Sequence, residues 1–328
     1  MRVLKRVVLL VVIVAAAFIA FLFIYKPKPI GVVLGVNFSQ GFAQSLNGDW
    51  KANYIGLLKD LKVKNIKLGT NWDLLEPERG KFNWTDLDWQ VKEAEKSGAS
   101  LIVVVGMKTP RWPECHIPEW VKNLSRDEIG KEVVNLVSGI VGRYKSSPAV
   151  KIWQVENEPF FRFGECPSYS ADFVKDEVRA VKSADKSRQV LITESGEFST
   201  WTSAAKLGDI VGTTLYRKVW FSPLKFYFNY PFPPSFYYWK AWLIKKIFGK
   251  EVIDTELQAE PWTNLGFQKT PLEEQYRTFD LQQFRDNVEF ARETALPQAY
   301  LWGAEWWWWM KNQGHPEYWD YAKELFKS

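Results

Sequence analysis

Two acidic clusters, each closing an apolar run, stand about a hundred residues apart in this chain of 328 residues. Ile152-Trp153-Gln154-Val155 leads into Glu156-Asn157-Glu158-Pro159, and Val252-Ile253 leads into Asp254-Thr255-Glu256-Leu257-Gln258-Ala259-Glu260-Pro261-Trp262. Glutamates brought to opposite sides of one bond can divide acid–base chemistry between them. One protonates a leaving oxygen, while the other attacks the carbon or activates a water. In a cleft of low dielectric their charges push the two pKa values apart, so one stays protonated and the other ionised. Cleavage of a glycosidic bond uses this pair and needs neither metal nor cofactor.

Composition narrows the other chemistries. Only two His and two Cys are present, and Cys115, His116, Cys166 and His315 lack the spacing of a structural zinc site. A nucleophilic Ser-His-Asp triad would have to use His116 or His315. No G-x-G-x-x-G or G-x-x-x-x-G-K motif follows an apolar run, so no dinucleotide or phosphate loop is expected. The formal charge of +5 is spread over interleaved acids and bases, which argues against a nucleic-acid partner. The 18 Trp, 13 Tyr and 22 Phe bury too much apolar surface for a disordered chain. They also supply flat faces of the kind that fill a core or hold sugar rings.

Eight short apolar runs must position the glutamates: Val32–Phe38, Asn65–Leu68, Leu101–Val105, Val150–Val155, Val190–Thr193, Ile210–Leu215, Val252–Leu257 and Ala299–Trp302. Most are continuous rather than alternating, as parallel strands buried on both faces are. Helical periods lie between them. Leu87, Val91 and Ala94 share a face that ends at Gly98. Ser125 with Glu128 forms a capping box ahead of Ile129, Val133, Leu136, Val137 and Ile140. Val174, Val178 and Val181 form another stripe, and the segment Leu272 to Thr294 carries two more sets. Eight βα units over residues 31–328 predict an α/β fold of the (β/α)8 TIM-barrel type, with a doubly wound sheet as the alternative. The fourth and seventh strands of a barrel face each other across its mouth. Val219–Trp242, dense in aromatics and proline, reads as a βα loop running into a helix Tyr237–Phe248, and resting on a membrane surface is its second reading.

Ahead of the barrel, residues 7–25 form an uncharged run of 19 residues. A helix of that length spans about 28 Å, close to the hydrocarbon core of a bilayer. The expected layout is a cytoplasmic tail over 1–6, a transmembrane signal anchor over 7–25, a Lys-Pro linker over 26–30 and an extracytoplasmic domain over 31–328. Removal of the segment as a signal peptide, with secretion, is the alternative. That compartment permits a disulfide between Cys115 and Cys166.

Asn157-Glu158-Pro159 after one apolar strand, and Thr255-Glu256-Leu257-Gln258 after another, resemble the retaining glycoside hydrolases of clan A. These are the "4/7" barrels, which include family 5 and family 10 enzymes. Trp72 to Trp84 with its Glu76-Pro77-Glu78-Arg79-Gly80 core is similar to the clan's second βα unit. Pro110-Arg111-Trp112-Pro113-Glu114 and Leu301-Trp302-Gly303-Ala304-Glu305-Trp306 fit its third and eighth strand ends. The resemblance implies that Glu158 is the acid/base and Glu256 the nucleophile, that Asn157 bonds the sugar 2-hydroxyl, and that Tyr216 positions the nucleophile. It makes Trp302 a sugar platform. Lys67 stands where family 5 has an arginine, and Thr214 where it has a histidine.

Around that set, Trp306 is a candidate ligand contact within the run Trp306–Trp309. Trp112 and Trp262 read either as subsite or as packing residues, and His116 as a hydroxyl contact or a plain loop residue. Glu156 is read as structural, and Glu260 as a loop residue. Glu194, in a decoy Thr-Glu-Ser-Gly stretch, falls on the fifth strand and is set aside. The expected activity is hydrolysis of an extracytoplasmic oligo- or polysaccharide by double displacement, without cofactor or metal. The alternatives are a catalytically silent carbohydrate-binding barrel and a transglycosidase.

Overall fold

Eight parallel strands close into one barrel: Val33–Ser39, Asn65–Gly69, Ser100–Val105, Val150–Val155, Gln189–Glu194, Ile210–Leu215, Glu251–Gln258 and Gln298–Trp302, with the last pairing back onto the first. Each agrees with its expected run to within one residue at either end. These are coordinates of a computed structural model, which describes residues 6, 7, 9, 10, 13, 17, 20–167, 170–221, 224–263 and 265–327.

The barrel interior holds Ile102, Leu191, Ile210, Ile253 and Tyr300, with Ile152 packed against them. A larger apolar layer, between strands and helices, takes the remaining aliphatic faces. Strands buried on both sides therefore need the continuous apolar runs seen in the sequence. Helix Thr85–Ser97 buries Leu87, Val91 and Ala94 and ends on Gly98 at φ 64°. Helix Arg126–Tyr144 starts with the expected box: Ser125 N–H donates to Glu128 Oε2 at 2.8 Å, and Glu128 N–H returns to Ser125 Oγ at 3.4 Å. The segment from Leu272 splits into helices Leu272–Thr278 and Leu281–Glu293, because Asp280 caps the second by accepting from Gln283 N–H at 2.7 Å.

Val219–Trp242 differs from the expected loop. It contains an antiparallel hairpin, Lys218–Phe221 with Phe226–Asn229, and the helix that follows begins earlier, at Pro234. Runs of aromatics suit a strand, and Pro at the first helical turn costs no hydrogen bond.

Among the described residues no helix is long and apolar enough to cross a membrane. Much of the expected span 7–25, and most of the tail 1–6, lie outside the described residues. The last turn of that span, Ala20–Ile24, is helical and packs on helix Pro234–Phe248. There Phe21 and Tyr25 lie 5.8 and 5.2 Å from the Trp239 ring.

Candidate active site

Parallel strands in a barrel all point their C-terminal ends to one rim, and the βα turns there hold the chemistry. Four of those turns converge here. The fourth strand ends at Val155, and the chain then turns sharply, with Glu156 at φ 58° and Glu158 at φ 44°. A left-handed backbone at a non-glycine residue costs roughly 1–2 kcal/mol and needs outside support. Glu158 N–H receives it from Thr193 Oγ1 on the fifth strand, at 2.8 Å. Glu156, fully buried, accepts from the backbone N–H groups of Met107 (2.8 Å) and Lys108 (2.5 Å), tying the fourth turn to the third. Lys108 in turn donates its Nζ to the carbonyls of Glu158 (3.0 Å) and Phe161 (2.9 Å). Glu156 is thus structural, as expected. Gly106, at φ 122°, leaves the space that Glu156 fills: a Cβ there would stand 2.4 Å from its Oε1.

The sixth strand brings the two glutamates together. Thr214 Oγ1 donates to Glu158 Oε1 at 3.1 Å, and Tyr216, two residues on, donates its phenol to Glu256 Oε2 at 2.9 Å. Tyr216 is the first residue past that strand, so both carboxyls are held at its C-terminal end, over one rim. The other Glu256 oxygen takes Lys67 Nζ at 2.8 Å, with that lysine wholly buried. Glu256 is therefore held as an acceptor on both oxygens. Lys67, where family 5 has an arginine, thus places a cation on Glu256, and Thr214, where it has a histidine, places a donor on Glu158.

Burial, then the charge of Glu256, then that of Glu114, push the Glu158 carboxyl up to about 8. Glu114, at the third turn, is raised to about 8 by burial and by Glu256. Asn157, 2% exposed, donates its Nδ2 to Glu114 Oε2 at 3.2 Å and stands between the third and fourth turns. Glu114 is the third carboxylate of the cleft, and sequence reasoning quoted it without giving it a role. Its signal was an acid closing the third strand's turn.

Beside this set lies a buried ion cluster. The Arg111 guanidinium bonds Glu260 through both terminal nitrogens and Glu305 Oε2 at 2.5 Å, sandwiched between the rings of Phe42 (3.9 Å) and Trp302 (4.1 Å). Trp302, 8% exposed, therefore has one face covered by Arg111. Glu260 serves this cluster from its loop. Sequence reasoning quoted Arg111 and Glu305 only as parts of motifs.

The remaining candidates separate. Trp262 packs edge-on to Tyr216 at 5.2 Å, and so borders the nucleophile's support. Trp112 is 61% exposed, its ring 5.9 Å from Phe163, on the outer rim. His116 hydrogen-bonds the Arg111 carbonyl at 3.0 Å, and burial holds its pKa down despite Asp73, which makes it a support of its own loop. Trp306 lies in the core: it is 0% exposed, gives its Nε1–H to Gln275 Oε1 at 2.8 Å and packs on Phe267, Phe279 and Tyr318. Helix Ala304–Asn312 turns this face to the core. Gly303, at φ 155°, starts that helix where a Cβ would meet the Ala259 carbonyl at 2.4 Å. Glu194 accepts from Ala204 N–H at 2.6 Å and from Ser199, stabilising the start of helix Thr202–Leu207. Cys115 and Cys166 are bonded, joining the third and fourth βα loops.

Among the described residues no group of His, Cys, Asp and Glu is arranged to hold a metal ion. The sequence model of Glycosyl hydrolase family 10 matches residues 60–190. Endo-1,4-beta-xylanase 3 of Hypocrea jecorina is 30% identical over 158 residues, 46% of this chain and 42% of that protein. Xylanase 10B of Thermotoga maritima superposes with a TM-score of 0.57 at 16% identity, covering 83% of this chain and 82% of the other. GH5_18 of Bifidobacterium longum gives 0.58 at 15% identity, over 83% and 69%. The resemblance to the clan A glycosidases holds. It rests on sequence across the second to fifth strands and on fold across the whole barrel, and the chain spans less than half the length of the curated xylanase it matches.

Proposed function

We propose that this chain is a retaining glycoside hydrolase in which Glu158 protonates the leaving oxygen and Glu256 attacks the anomeric carbon. The observation that supports it most is the meeting of both glutamates on Thr214, near the end of the sixth strand, and Tyr216, the first residue past it. Burial and the neighbouring charge leave Glu158 protonated at neutral pH, as a general acid must be. Glu256, gripped by Lys67 and Tyr216, has the acceptor-only setting of a nucleophile. Asn157 lies beside the pair to bond a 2-hydroxyl, and Trp302 with Trp262 supplies apolar surface for a sugar ring. β-1,4-Xylan is the first substrate to try, on the likeness to Endo-1,4-beta-xylanase 3. The uncharged run 7–25 supports a signal anchor that holds the barrel outside the cytoplasm.

Hydrolysis of xylan and of aryl xylosides by the chain, lost in Glu256→Gln and partly regained by azide in Glu256→Ala, is the expected result. Unchanged turnover in Glu256→Gln would overturn the assignment. Saccharide binding without hydrolysis over a broad glycoside panel would favour the silent barrel. Product analysis with an added sugar acceptor separates a transglycosidase.

A further inference from the structure

The seventh strand, Glu251–Gln258, falls out of step with both of its neighbours just before Glu256. On the sixth strand, Thr213 and Thr214 stand opposite Asp254 and Glu256, and on the eighth, Ala299 and Leu301 stand opposite Asp254 and Leu257. Each pairing leaves one residue of the seventh strand over, which makes a β-bulge. We propose that Asp254 is a positioning residue, whose carboxyl holds this bulge and so turns Glu256 into the cleft. The inference rests on the reading of Glu256 as the nucleophile.

The bulge decides which way Glu256 points. Side chains alternate along a strand, and a shift of one residue moves each to the opposite face. Ile253 lies in the barrel interior, so an unbroken alternation would put Thr255 and Leu257 inside with it and leave Glu256 facing the helices. Leu257 belongs instead to the outer apolar layer, as Val252 does. The phase therefore changes between Ile253 and Leu257. Glu256 stands on the inner side, where Lys67 and Tyr216 reach it.

Side chains on three strands hold the extra residue. Asp254, 1% exposed, accepts the Glu256 N–H on Oδ1 at 3.1 Å. Asn37, on the first strand, donates its Nδ2 to the carbonyls of Thr255 at 3.0 Å and Tyr300 at 3.1 Å. Thr255 Oγ1 donates to the Thr213 carbonyl at 2.9 Å. Gly212 gives that side chain room, since a Cβ there would stand 2.9 Å from the Thr255 Cγ2. Among these contacts, the bond from Asp254 is the one that ends on the backbone of Glu256 itself. Burial, and then the charges of Glu256 and Glu197, hold the Asp254 carboxyl well above its ordinary range and favour its neutral form. Asn is the neutral counterpart that keeps an accepting oxygen.

The pair Lys67–Glu256 reports the orientation without any turnover. In a double-mutant cycle of Lys67→Met and Glu256→Leu, read by urea unfolding of the full chain, the double variant should lose less stability than the two single losses together. That coupling should persist when the cycle is repeated on Asp254→Asn and be lost on Asp254→Leu. On an aryl glycoside, Asp254→Leu should lower kcat about a hundredfold with KM held within about threefold, and Asp254→Asn should stay within about fivefold of the parent. Where Asp254→Leu does not fold, Asn37→Ser releases the Thr255 carbonyl instead, and the same loss of coupling and of kcat is expected of it. Coupling absent from the parent chain, coupling kept after the bulge is released, or equal kinetic losses in Asp254→Asn and Asp254→Leu would each overturn the proposal. Failure of the nucleophile reading looks different: Glu256→Gln keeps full turnover while the coupling and its dependence on Asp254 remain.

Discussion

In the proposed mechanism the Glu158 carboxyl, raised to about 8 by burial and by Glu256, sets the alkaline limit of the reaction. A general acid works only while it holds its proton, so kcat/KM on a substrate with a poor leaving group should fall as pH rises through about 8. One pH step above that value leaves about a tenth of the acid protonated, and the rate falls to about a tenth with it. The Thr214 hydroxyl donates to Glu158 at 3.1 Å and so favours the ionised form. Thr214→Val removes that bond and should move the limb up, never down. The assay is initial rate against pH on an unactivated phenyl glycoside, with a dinitrophenyl glycoside alongside, whose leaving group needs no proton. The limb should be present with the first and absent with the second. A limb near the ordinary glutamate value, or one that Thr214→Val moves down, would refute the argument that burial and Glu256 hold the proton on Glu158.

Three further outcomes follow from the same contacts. Lys67→Met leaves Glu256 buried without its cation, at a cost in stability on the order of 3–5 kcal/mol, to be read as a lower denaturant midpoint, and an unchanged midpoint would count against it. Glu177, buried against Glu156, is held well above the ordinary carboxylate range by burial and then by that neighbour's charge. The folded chain therefore binds a proton that the unfolded chain has released, so this contribution is complete below the ordinary glutamate value and is lost as pH rises toward the folded one. Glu177→Gln should flatten the decline of stability with rising pH, and an unchanged slope in urea titrations would count against it. Reduction of Cys115–Cys166, which closes 51 positions of chain, should cost about 4 kcal/mol in the chain-entropy picture, read as a lower denaturant midpoint.

Much of the barrel was legible because parallel strands buried on both faces leave a continuous apolar signature. The eight runs, the Gly98 stop and the Ser125–Glu128 box all reflect local physics. The hairpin from Lys218 was not legible, since its aromatics run consecutively, without a strand's alternation, close to prolines, and resemble an irregular loop. The candidate site was legible near strand ends: Glu158, Asn157 and Tyr216 follow one, and Glu256 lies two residues before the end of another. It was illegible where the answer depended on which way a helix rolls. Trp306 follows Trp302 by four residues, yet the intervening start of helix Ala304–Asn312 turns it into the core. Glu114 and Arg111 were also hidden as functional residues, because their partners Asn157, Glu260 and Glu305 come from distant turns.

The central claim is that Glu256 forms a covalent bond to the sugar while Glu158 supplies the proton. Incubation with an activated 2-deoxy-2-fluoro glycoside slows breakdown of that intermediate enough for peptide mass spectrometry. The account predicts one sugar equivalent on the peptide containing Glu256, and a product of retained configuration with the natural substrate. A label on Glu114 or Glu158, or an inverted product, would contradict it.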